Sequence, residues 1–209
     1  MAGVPDLRNA ALRYFVRGEP VEKLSYLTTF VALIYGLGVA NVLAHLSTLL
    51  KRGKDADWYW VHTLWTLYLI LFMATLWWVQ LNWGAVRHIA YFQYLSLLLM
   101  PALVYVASDL LFPERQREGT IALKVHFFAI KHRLFLLLLA MLLSDELDSA
   151  LKGWDHVVAL GPYYWWTQLY WLVACVVGYR SNNERIQGAI VIIGTVLLLV
   201  GMSHVLPAV

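Results

Sequence analysis

Long apolar stretches alternate with short polar ones along this chain, on a scale too coarse for strands. Six stretches stand out: roughly Leu24 to Leu50, Trp58 to Trp83, Ile89 to Phe112, a fourth centred on Leu134 to Leu143, Pro162 to Tyr179, and Ile186 to Val205. Five of them approach or exceed the roughly 20 residues that a helix needs to cross the hydrocarbon core of a bilayer. The pattern predicts an all-α fold: a polytopic membrane helix bundle with six transmembrane helices. The fourth stretch is the exception, since its apolar core covers half a bilayer. It spans by extending through Lys131, His132 and Arg133, where the long basic side chains snorkel, or through Asp145, Glu146 and Asp148. The alternative is a re-entrant half-helix, whose broken backbone needs protein or water against it.

The connections are short, so helices adjacent in sequence are expected to pack as antiparallel neighbours. Residues 24–206 read as a single transmembrane bundle. Residues 1–23 are polar, and within them Asn9 to Val16 carries Leu12, Phe15 and Val16 at the spacing of a short interfacial helix. The apolar run that follows exceeds the 7–15 or so residues of a signal-peptide core, so it is expected to stay as a span.

Composition points the same way. Of 209 residues, 61% are hydrophobic and 14% charged, against about 45–50% and about 25% in a soluble domain. A water-soluble fold would have too little polar surface to cover such a core. The net charge of +3 is scattered between the spans, which excludes a nucleic-acid interface. Cys175 is the lone cysteine, so no internal disulfide and no thiol-rich metal site is available. Of the 16 Lys and Arg residues, ten fall in the loops 51–57, 113–133 and 179–185, which a six-span chain places on one side. That asymmetry leans toward both termini outside, in a bacterial inner membrane, although the basic amino-terminal segment opposes it.

Few ionisable groups interrupt the spans, and these are the candidates for function. Gly38, Asn41, His45 and Thr48 share one face of the first span, while Gly36 and Ala40 form a small-residue pair suited to close packing. His62 opens the second span, Asp109 closes the third, and His126 and His132 enter the fourth. A six-span topology brings these ends to one basic face. His45, His62 and Asp109 then form a candidate metal set or proton relay. At the opposite face, Asp145, Glu146 and Asp148 form an acidic mouth near Gln93, Asn82 and His88, and Asp148 has the helix-pair spacing with Lys152. Aromatic clusters such as Tyr163 to Trp166 read as an interfacial belt, or alternatively as a stacking wall for a lipid, quinone or pigment ring.

The function expected first is binding or conduction of a small ligand or ion, protons included, through a polar seam. Asn41, His45, His62 and Asp109 would form its inner constriction, and Asp145, Glu146 and Asp148 its opposite mouth. The alternatives are an accessory subunit of a larger membrane complex and an intramembrane His/Asp metalloenzyme. No glycine-rich phosphate loop, HExxH pair, GxSxG elbow or CxxC occurs, which weighs against an enzyme. The residues name no cofactor. Membrane lipids are the expected partners, with a second membrane protein or another copy of the chain beside them.

Overall fold

The computed structural model describes residues 20–80, 91–114 and 120–205. The interfacial helix expected over Asn9 to Val16 lies outside these residues, as do Asn82 and His88. Six long helices occur among the described residues: α1 (Pro20–Arg52), α2 (Trp60–Gln80), α3 (Tyr91–Leu110), α4 (Leu123–Lys152), α6 (Gly161–Arg180) and α7 (Glu184–Val205). A six-residue helix, α5 (Trp154–Ala159), links α4 to α6. Two-residue strands β1 (Ala56–Asp57) and β2 (Ile121–Ala122) pair in parallel where the loops before α2 and α4 meet.

The helices follow the apolar runs because these contain good helix formers and few breakers. Pro101 sits inside α3 without ending it. Gly153 stops α4 with a φ of 98°, a backbone conformation that side-chain-bearing residues avoid, and its N–H bonds the Ala150 carbonyl. The fourth segment is one unbroken helix of 30 residues, about 45 Å long at about 1.5 Å per residue. It extends past its apolar core in both directions, so there is no break at which a re-entrant hairpin could turn.

By length and composition, four helices are apolar enough to cross a membrane: α1, α2, α4 and α7. The apolar part of α3 is shorter, Leu95–Leu110. α6 is interrupted by Tyr, Trp and Gln. All six long helices turn large apolar side chains outward, including Leu33, Leu67, Val106, Leu136, Val173 and Val196, each at least half exposed.

The packing order departs from the sequence order. The helices close into a ring α1–α3–α4–α6–α7–α2, with α2 only lightly against α3. Glycines explain the choice of neighbours, because each one seats a bulky side chain from another helix. A Cβ on Gly188 of α7 would fall 2.0 Å from the Trp60 ring of α2. One on Gly178 of α6 would fall 2.1 Å from the Phe135 ring of α4, and one on Gly194 of α7 would fall 2.6 Å from the indole of Trp171 on α6. Gly38 lets α1 close against Met73 of α2 and the Tyr105 backbone of α3. The close approach expected at Gly36 is not made, since that glycine faces outward with nothing near it. Inside the ring, Trp65 meets Phe135 and Tyr68 edge to face at 5.8 and 5.7 Å, and Tyr68 lies 5.3 Å from Trp171.

Gly178→Ala is expected to destabilise the protein by about 1–3 kcal/mol through overpacking against Phe135. In a double-mutant cycle with Phe135→Leu, thermal unfolding in detergent should show the pair costing less than the sum of the single changes. Strict additivity would mean that the two residues do not press on each other.

Candidate functional site

The basic end is built around two helix C-termini. A helix leaves its last carbonyls without partners, and here side chains of neighbouring helices serve them. His62 of α2 donates from Nε2 to the Leu111 carbonyl at 2.8 Å, and His126 of α4 reaches the Leu110 carbonyl at 3.3 Å. Both atoms belong to the end of α3. The donor role of His62 fixes its proton on Nε2. At the end of α6, Lys131 donates to the carbonyls of Tyr179 and Ser181 at 2.9 and 3.1 Å. Gln187 donates to those of Gly178 and Ser181 at 2.9 and 2.8 Å. His62, Lys131 and Gln187 are all buried.

A second group locks the same end. Glu184 accepts from the Trp60 indole at 2.5 Å and from Lys124 at 2.6 Å, and the Lys124 ammonium stands 5.6 Å from the centre of the Tyr59 ring. Burial, and then the Glu184 carboxylate, push the Tyr59 phenol up to about 12, so it stays protonated.

The proposed inner constriction does not assemble as one site. Asn41 of α1 donates to the Ser108 hydroxyl at 3.3 Å and to Asp109 at 3.5 Å. His45 Nε2 stands 3.7 Å from Asp109, whose side chain is 70% exposed. Asp109 therefore sits on the outer seam of α1 and α3, while His62 is inside. The Phe112 ring lies between the two imidazoles, stacked on His45 at 4.8 Å and edge-on to His62 at 5.3 Å. Among the described residues, no three His, Cys, Asp or Glu side chains could hold one metal ion. His45 and Asp109 are thus brought together, while His62 is turned away from them, with the Phe112 ring against both imidazoles and His62 Nε2 on the Leu111 carbonyl.

The opposite end holds a cavity of about 220 Å³. Tyr68 and Phe72 of α2, Met100 of α3, Met141 and Asp145 of α4, and Tyr164, Gln168 and Trp171 of α6 line it. Its polar end is a single carboxylate. Asp145 Oδ2 accepts from the Tyr164 hydroxyl at 2.8 Å and from the Gln168 amide at 2.6 Å. Tyr164 also lies 3.4 Å from Glu146. Asp148 is engaged elsewhere, paired with Lys152 at 2.6 Å as its spacing suggested. Gln93 bonds the Leu151 carbonyl at 2.9 Å and ties α3 to the end of α4. On α5, burial and then the Lys152 ammonium hold His156 below its ordinary value, with Asp148 and Asp145 opposing.

The acidic residues named from the sequence are therefore not one open mouth. Asp145 turns toward the cavity and Asp148 is neutralised on its own helix. Tyr164 and Gln168 were missed as site residues. The signal was present, since Tyr164 and Gln168 are four apart on one helical face, but Tyr164 stands in an aromatic cluster that reads as interfacial belt. Its neighbours Trp165 and Trp166 do face outward.

Lys131→Met would take its donor from the part-buried Tyr179 carbonyl and leave the Ser181 carbonyl to Gln187 alone, and should lower stability by about 1–3 kcal/mol. The exposed neighbour Arg133→Met should change it by no more than about 0.5 kcal/mol. Unfolding of both variants in detergent checks this, and equal effects would remove the capping role of Lys131. No protein-family model, no curated protein and no solved structure matches this chain.

Proposed function

We propose that this chain is an integral membrane protein of six spans, both termini outside, that binds a small ligand in the cavity at Asp145. The outward apolar side chains on every long helix support immersion in lipid. α3 and α6 complete the ring between helices that are apolar enough to span, which supports counting them as spans too. A bacterial inner membrane fits the distribution of Lys and Arg.

The observation that carries the binding reading is one carboxylate at the end of an otherwise apolar and aromatic cavity inside the ring. Such pockets, apolar with a few converging polar groups, are where small ligands bind. Binding is favoured over conduction. Between the cavity and the basic end the interior is filled by Trp65, Phe127 and Phe135, none more than 2% exposed. An ion passing from Asp145 toward His62 would meet these rings without a polar partner.

Two outcomes test the reading. After alkaline carbonate extraction the chain should remain in the membrane pellet, and release into the supernatant would overturn membrane immersion. Purified full-length protein should bind at least one of three fluorinated aryl probes (an ammonium, an alcohol, a carboxylate) by ¹⁹F NMR. That binding should fall by at least about tenfold when Met141→Trp or Leu142→Trp fills the cavity. Probes that bind every form alike, or none, would count against the cavity as a site.

A further inference from the structure

We infer that the ligand of this cavity is a compact arylalkyl ammonium ion, its nitrogen on Asp145 and its ring among the aromatic walls. The inference rests on the binding reading above and names its ligand class.

The polar end is short of donors. The Tyr164 hydroxyl and one N–H of Gln168 already point at Asp145 Oδ2. The Thr167 hydroxyl, also on the cavity wall, donates to its own helix at the Tyr163 carbonyl. What this end offers a ligand is therefore two acceptors, the second carboxylate oxygen of Asp145 and the amide oxygen of Gln168, against one donor, the second N–H of Gln168. A ketone or quinone would bring its acceptors against these. A carboxylate or phosphate ligand would also meet the charges of Asp145 and its neighbour Glu146, Asp148 being offset by Lys152. A ligand with N–H donors is complementary.

Charge gives the same answer. Among the described residues Asp145 makes no ion pair of its own, since Lys152 pairs with Asp148 and bears on Asp145 only from farther off. A carboxylate held away from water is costly without a counter-charge, and an ammonium supplies one. The walls suit the rest of the molecule. Tyr68, Phe72, Tyr164 and Trp171 line the cavity, and aromatic faces attract cations most strongly where water is excluded. Size sets the limit. A cavity of about 150 Å³ accepts benzene, so about 220 Å³ accommodates one ring, a one- or two-carbon arm and the nitrogen.

The test compares three probes of one shape on the full chain in an uncharged detergent: 4-fluorophenethylammonium, 2-(4-fluorophenyl)ethanol and 4-fluorophenylacetate. Dissociation constants come from ¹⁹F NMR titration. The ammonium is expected to bind at least about tenfold more tightly than the alcohol, and the carboxylate most weakly. Asp145→Asn should remove the preference for the ammonium, and Phe72→Leu should weaken that probe more than the alcohol. The ranking on the unaltered chain needs no variant, so a poorly folding Asp145→Asn does not rescue the proposal. An alcohol that binds as tightly as the ammonium, and loses binding in Met141→Trp, overturns the ammonium assignment and leaves the cavity reading intact. Failure of all three probes to respond to Met141→Trp overturns both.

Discussion

The carbonyl oxygens at the ends of two helices constrain everything else in this fold. α3 and α6 both end against neighbouring helices at the basic end, whose side chains reach their last carbonyls. An unpaired buried carbonyl costs on the order of 1–3 kcal/mol, so the neighbours must bring donors at matching heights. His62 and His126 do so for α3, and Lys131 and Gln187 for α6. These bonds fix how far each helix stands along its partners. α4 is held to α6 twice, by Lys131 at one end and by Asp145 through Tyr164 and Gln168 at the other. A slide of one helical turn, about 5.4 Å, would break both at once. The cavity chemistry is thus set by capping at the far end of the same helix.

The two ends of the bundle divide the work. At the basic end, imidazoles, an ammonium and an amide hold carbonyls, and Glu184 ties Trp60 to Lys124. Each of these side chains bonds the protein through at least one atom, while His62 Nδ1, Gln187 Oε1 and the Tyr59 hydroxyl are buried without a hydrogen bond among the described residues. At the acidic end, Asp148 and Lys152 neutralise each other, and Asp145 lines the cavity. Histidine in a span suggests metal or proton chemistry when seen in a sequence. Here the geometry of His62 makes it a cap, and the more consequential ionisable group is the aspartate at the opposite end.

Much of the fold was legible because segments that avoid water must be apolar, whatever surrounds them. Five of the six long helices agree with the expected runs to within about four residues where these are described, and α4 shows that a short apolar core extends when snorkelling side chains flank it. The grouping of His45, His62, Asp109 and His126 at one end also followed from alternating direction. The inner faces were not legible. These helices are apolar nearly all round, and periodicity then says little about which side turns inward. Asp109 closes an apolar run, yet its carboxylate faces out. Ring order was equally hidden, because it depends on Trp60 finding Gly188 and Phe135 finding Gly178, pairs far apart in sequence. Tyr164 had the same composition signal as Trp165 and Trp166, and only the rotation of α6 separates one from the others.

Gly194 carries a consequence of its own. It touches no part of the cavity, yet the indole of Trp171, which is a cavity wall, rests against its bare backbone. A methyl group there would press the indole forward and narrow the chamber from behind. Adaptation of this protein to smaller or larger guests therefore has a starting point outside the chamber altogether, on the last helix, at a position that a guest never meets.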